Sequence, residues 1–149
     1  MRRAAPAQAL IWFSLALPLF ISMAGLAIDG AVLLATRRQL QSVADGAARA
    51  GATRVDLDRL RASGGTDVQL DPHSAEAAAH TYLAERLPRE VGWASTPAFQ
   101  VEVAPRRVRV LVEAALQTAF LRIVGFNSVP VEAAATADVQ FGIHAGNGS

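Results

Sequence analysis

From Ala4 to Ile28 the sequence carries no charged residue. Such a run reads as a membrane span. As a helix rising 1.5 Å per residue, Ala7–Ile28 measures about 33 Å, enough to cross a hydrocarbon core of about 30 Å. Its only strongly polar side chains are Gln8, Ser14 and Ser22. A transmembrane helix is therefore expected over residues 7–28. The alternative is a cleaved secretion signal, with Gly25 and Ala27 as its small residues. The apolar part of a signal usually runs about 7–15 residues, and here the helical pattern continues past Ala27 without a break. Arg2 and Arg3 precede the span and Asp29 follows it. This predicts a cytoplasmic tail (1–6) and a folded part outside the inner or cytoplasmic membrane, periplasmic or extracellular.

Composition narrows the function. Net charge is +1, which gives no case for a nucleic-acid partner. There is no cysteine, so disulfides, thiol nucleophiles and Cys-ligated metals are excluded. All basic residues are Arg. Outside the span large apolar residues are sparse, and a thin, alanine-rich core is expected.

Pro18 lies inside the span, where membrane helices tolerate a local bend. Ala24, Ala27, Ala31 and Ala35 put small residues on or near one face, which lets helices approach closely. The helix should continue as a stalk over 29–55. Leu33, Thr36, Leu40, Val43, Ala47 and Ala50 recur at steps of three and four and form one stripe. Arg37, Arg38, Gln41, Asp45 and Arg49 lie off it. Gly46 and Gly51 each weaken the helix by about 1 kcal/mol relative to Ala, so packing must hold it.

The remaining residues, 56–141, should make a small α+β domain. Asp56–Asp71 reads as a loop around Ser63-Gly64-Gly65-Thr66. Its carboxylates miss calcium-loop spacing, because Leu60 stands where a third ligand is needed. Asp71-Pro72 opens a second helix, with Ala75, Ala78, Ala79, Tyr82, Leu83 and Leu87 inward and Pro88 as the stop. His73, Glu76 and His80 share a face of it, but without HExxH spacing or a third strong ligand they read as a wet surface. Gly92–Pro97 is read as a connector. Phe99, Val101 and Val103, then Val108, Val110 and Val112, alternate with polar neighbours across an Ala104–Arg107 turn, which predicts a hairpin. Arg106 and Arg107 at its tip read as a solvated turn. Thr118–Val124 predicts a short helix closed by Gly125. Val129–Phe141 predicts a third strand of small side chains, its direction undetermined. Residues 142–149 are expected to be disordered.

Two stretches resemble one family. Ala7-Gln8-Ala9-Leu10-Ile11-Trp12-Phe13-Ser14-Leu15-Ala16-Leu17-Pro18 is similar to the opening of TadE/TadG-like pilus-assembly proteins, whose pattern runs G-Q-A-L-V-E-F-A-L-V-L-P. Arg38–Ala52, with Leu40, Gln41, Ala44, Asp45, Ala48 and Gly51, resembles that family's Q-x-A-A-D-A-A-A-L-A-G-A helix. The hairpin, the FLRIVG segment and the final strand match more loosely. The resemblance implies a membrane-anchored accessory or pilin-like component of a Flp-type, tight-adherence pilus system, acting outside the membrane, with a pilin-like fold. In TadE-like members the opening Gly precedes a prepilin-peptidase cut and a Glu five residues on helps register subunits. Those positions are Ala7 and Trp12 here, so a retained N-terminus and a TadG-like anchored role are expected. The implied partners are membrane lipid and other pilus-assembly proteins or pilin-like subunits, met through the faces Ala27-Ala31-Ala35 and Ala44-Ala48-Ala52.

Two other function classes find less support in the sequence. No nucleophile elbow, P-loop, dinucleotide-binding turn or paired carboxylates supports an enzyme, so no catalytic residue, cofactor or metal is expected. A tethered ligand-binding or sensor module would need a pocket of about 300 Å³ or more, and a small alanine-rich sheet has little room to enclose one.

Overall fold

The computed structural model describes residues 5–89 and 91–139, with the side chains of 5–8 and Val124 left aside. One helix, α1, runs from Ala5 to Ala52 through Pro18 and Gly46. It is followed by α2 (Leu57–Ala62), α3 (Pro72–Arg86), the strands β1 (Trp93–Ala104) and β2 (Arg107–Gln117), a 3-10 turn at Leu121–Val124, and β3 (Ser128–Asp138). The expected α+β architecture, a long helix against a three-stranded sheet, is what forms. The tail expected over 142–149 lies outside the described residues.

The sheet is antiparallel with β2 in the centre. This settles the direction of the third strand: Val108 faces Ala137 and Leu116 faces Val129 across the β2–β3 ladder. Alternation then decides the faces. Val108, Val110, Val112, Ala114 and Leu116 of β2 and Val131, Ala133 and Ala135 of β3 are buried, while Arg109, Glu113, Glu132 and Thr136 face solvent. Onto the buried face α1 lays Leu40, Val43, Ala44, Ala47 and Ala48, and α3 adds Ala75, Ala79 and Leu83. Most of these are alanine, so helix and strand backbones pack close together. At Gly51 and Gly46 α1 comes close to α3 and β2. A Cβ on Gly51 would stand 3.0 Å from the Ala75 carbonyl oxygen and 3.2 Å from both Val108 methyls, and one on Gly46 would strike the Tyr82 ring. The two glycines that weaken α1 as an isolated helix are therefore the ones that let α3 and β2 dock on it.

Three expectations are corrected. The stretch Asp56–Asp71 is not all loop, because Asp56 caps α2, its Oδ1 accepting from the N–H of Asp58 (3.1 Å) and Arg59 (3.0 Å). An antiparallel bridge between Val55 and Leu70 closes the excursion. Gly92–Pro97 is not a connector, since β1 already begins at Trp93. It is an edge strand whose register shifts between Trp93 and Ser95 and between Ser95 and Ala98. Pro97 cannot donate to a ladder, and an edge strand with bulges tolerates it. Third, the helix expected from Thr118 begins only at Leu121, for a reason that lies in α1 and is described below.

Asp71 caps α3 as expected. Its carboxylate accepts from the Ser74 hydroxyl (2.7 Å) and from the N–H of His73 (3.1 Å) and Ser74 (3.4 Å). The Ser74 hydroxyl, then the Ser74 and His73 amides, hold its pKa below the ordinary carboxylate value. A lowered folded pKa means stabilisation that is complete above the unfolded pKa of about 4 and fades as pH falls through the folded value. The stability difference between wild type and Asp71→Ala, read from thermal unfolding in detergent, is thus expected to be widest near neutral pH and to narrow in acid. A difference that widens below pH 4 would contradict this.

Candidate functional site

The surface that distinguishes this chain is the first half of α1. Every large apolar side chain from Leu10 to Ile28 is at least half exposed, and Leu34 follows at 57%. By length and composition α1 could cross a membrane. Water does not tolerate a continuous apolar cylinder of this size, whereas lipid does. The two serines of the span turn inward on the helix: Ser14 donates to the Ile11 carbonyl (2.9 Å) and Ser22 to the Pro18 carbonyl (2.8 Å). Neither hydroxyl is then left unpaired in an apolar surrounding.

Asp29 stands at the end of that cylinder, 5% exposed. Its carboxylate accepts three successive backbone N–H groups from the far end of the chain, those of Ala119 (3.0 Å), Phe120 (2.9 Å) and Leu121 (2.7 Å). This is an N-cap delivered from another element. It explains why the turn after Thr118 starts at Leu121: the preceding amides point at Asp29 instead of into a helix. Gly125, in the left-handed region at φ 98°, closes the turn as expected. One helical turn below Asp29, the Phe120 ring lies over Gly25, where a Cβ would stand 2.5 Å from the ring. Ile21, Ser22, Leu26, Phe120, Leu121 and Ile123 line a recess of about 290 Å³ there. Sequence reading took Asp29 as the charge that ends the span and missed this role. The only local signal was an acidic residue directly after a span, and its partners lie ninety residues away.

The other sequence-selected positions divide by burial. Ala7 and Gln8 lie in the first turns of α1, their side chains outside the described ones. Trp12 is 69% exposed on the apolar cylinder, and Pro18 is accommodated without ending the helix. Ala27, Ala31 and Ala35 are exposed. Leu40, Ala44 and Ala48 are fully or almost fully buried in the chain's own core. A partner helix cannot reach Ala44 or Ala48, because the sheet and α3 already occupy the place expected for it. Gln41 links two parts of the fold: its Nε2 donates to the Ala134 carbonyl of β3 (2.8 Å) and to Asp45 Oδ1 (3.2 Å). The Gln-to-Asp spacing of the helix motif thus fastens α1 to the outer strand of the sheet.

Several charged side chains outside α1 are engaged in structural contacts. Asp67 is held by Arg59 Nε at 2.9 Å, and that bond, with those from Gln69, keeps its carboxyl below the usual range. Arg107 pairs with Asp138 at 2.7 Å, and His80 stands 3.7 Å from Glu76 with its ring edge-on to Phe99. Among the described residues no three His, Asp or Glu side chains gather as metal ligands would. A cleft of about 670 Å³ runs between Arg49–Val55 and Thr136–Val139, open along its length and lined by no cluster of reactive groups.

In a comparison with known families, residues 7–67 match the model of the TadE/G-like Flp pilus-assembly domain. The match takes in the apolar cylinder, Asp29, the Gln41–Asp45 pair and α2, and stops short of α3 and the sheet. No curated protein and no solved structure matches the chain. Over residues 7–67, then, the chain is similar to the TadE/G-like Flp pilus-assembly family.

Proposed function

We propose that the protein is a membrane-anchored structural component of a Flp-type pilus assembly or related secretion apparatus. The observation that carries this is the family match laid over one continuous helix, apolar and exposed below Asp29 and packed on a folded domain above it. Such a helix turns the membrane into a fixed reference for the domain. A catalytic role has no support in the arrangement of the described side chains. The charge bias of Arg2 and Arg3 favours a cytoplasmic N-terminus and a domain outside the inner membrane. The Ala27-Ala31-Ala35 face, exposed where α1 leaves the apolar cylinder, is suited to close contact with another helix of the assembly. Trp12 in place of a membrane-embedded Glu removes both a desolvation cost and a subunit-registering charge, which favours a part that stays in the membrane over a fibre subunit.

Deletion of the coding sequence is expected to abolish or sharply reduce surface pili, and alkaline phosphatase fused after Asp138 is expected to be active. Normal pili in the deletion strain would remove the assembly role. An inactive fusion would reverse the topology. Mass spectrometry of the extracted protein should find the N-terminus before Gln8 intact, and a chain starting at Gln8 would make it a processed pilin-like subunit instead.

A further inference from the structure

We infer that the turn from Ala119 to Phe126 is a second membrane contact, a knob that dips into the lipid leaflet on the side of the folded domain. This rests on the reading of α1 as a membrane span. Three side chains of the turn are exposed and large: Phe120 (37%), Ile123 (78%) and Phe126 (62%). A water-facing loop seldom concentrates apolar surface in this way. The position of the turn names what covers it. It does not stand out into solvent but lies back along α1, with Phe120 over Gly25 and Ile123 beside Ile21 and Leu26. At 1.5 Å per residue, Gly25 is about 4–5 Å and Ile21 about 10 Å below Ile28, inside the uncharged span. Whatever solvent bathes α1 at Ile21–Leu26 also bathes Ile123, and the apolar surface is continuous from helix to turn.

Backbone bonding gives a second, independent reason. Lipid offers no partners to exposed N–H groups, so irregular backbone enters it only when satisfied from within. Asp29 accepts three of the amides of the turn. Ile123, Gly125 and Phe126 donate to the carbonyls of Phe120, Arg122 and Leu121 at 3.0–3.1 Å, and the Thr118 hydroxyl donates to the Phe126 carbonyl. Arg122, the one charge between Thr118 and Phe126, is exposed. Its long stem allows the guanidinium to reach the headgroup phosphates while its neighbours sit deeper. The knob would fix the rotation and tilt of α1 about the membrane normal, which a single smooth helix leaves free.

The test uses the full chain with Trp12 and Trp93 replaced by Phe and single reporters introduced by Ile123→Trp, Phe126→Trp or, at the distal hairpin, Arg106→Trp. A chain retaining only Trp12 serves as the span control. Each is reconstituted in phosphatidylcholine vesicles with or without bromine on the acyl chains near the glycerol end. Reporters at 123 and 126 are expected to be blue-shifted and to lose fluorescence to the bromolipid, the one at 106 to be untouched by it. If Trp12 is shielded from aqueous acrylamide while 123 and 126 are quenched by acrylamide and not by bromolipid, the span stands and the knob does not. If Trp12 is also open to acrylamide, the span reading fails and this inference with it. Two reporters guard against one substitution disturbing the turn.

Discussion

Leu40→Ala is expected to lower the stability of the extramembrane domain by about 2–5 kcal/mol, a fall in melting temperature of about 10–20 °C. Leu40 and Leu83 are the two largest fully buried side chains, and the next three are valines. The core cluster to which Leu40 belongs carries alanine on three elements, among them Ala44 and Ala47 on α1, Ala79 on α3 and Ala133 on β3. Alanine has no further atoms to swing into a void, and the backbones are fixed in place by the sheet ladder and by the Gln41–Ala134 bond. The cavity should therefore stay open, which places the loss toward the upper part of the range seen for such truncations. Leu17→Ala is the contrast: Leu17 is 52% exposed on the apolar cylinder, and its loss should leave the melting temperature of the domain unchanged. Thermal unfolding of both variants in detergent, followed by near-ultraviolet circular dichroism, decides the matter. Equal midpoints for Leu40→Ala and wild type would contradict this description of the core.

Ala48→Leu and Ala31→Leu are expected to fail in different ways, although both enlarge a small residue of α1. Ala48 is 1% exposed and belongs to the cluster shared with β2, β3 and α3. Three extra carbons there must push α1 off the sheet, at a cost of about 1–3 kcal/mol or more. Gly51, one turn on, already stands at contact distance from Ala75 and Val108, so α1 has little room to shift along its axis. Ala31 is exposed, and Leu at that position keeps the helix and its apolar length. Ala31→Leu should melt like wild type and still reduce pilus number by blocking close approach of a partner helix. Ala48→Leu should melt lower and reduce pili only as far as the domain unfolds. Melting curves and pilus counts measured on the same strains separate the two. A normal melting temperature for Ala48→Leu, or a lowered one for Ala31→Leu, would overturn the division of α1 into a core face and a partner face.

Local patterns in this sequence decided whatever depends on local periodicity. An uncharged run gives the apolar half of α1, because charge is costly to bury in hydrocarbon and a run of this length matches its thickness. Steps of three and four from Leu33 to Ala47 give its core stripe, and alternation gives the three strands, since side-chain direction repeats with the backbone geometry. Asp71-Pro72 gives the start of α3, because cap and helix lie within one turn of each other. Tertiary structure alone decided what joins distant segments. The small residues Ala44 and Ala48 read equally well as a face for a partner chain or for the chain's own sheet, because close packing asks for the same side chains in both. Gly92–Pro97 read as a connector, and only its place on an edge strand makes Pro97 compatible with a strand. Asp29 read as a charge at the end of a span. It became a cap only when the chain returned, ninety residues later, to place three amides around it and the Phe120 ring over Gly25, and no periodicity in either segment encodes that meeting.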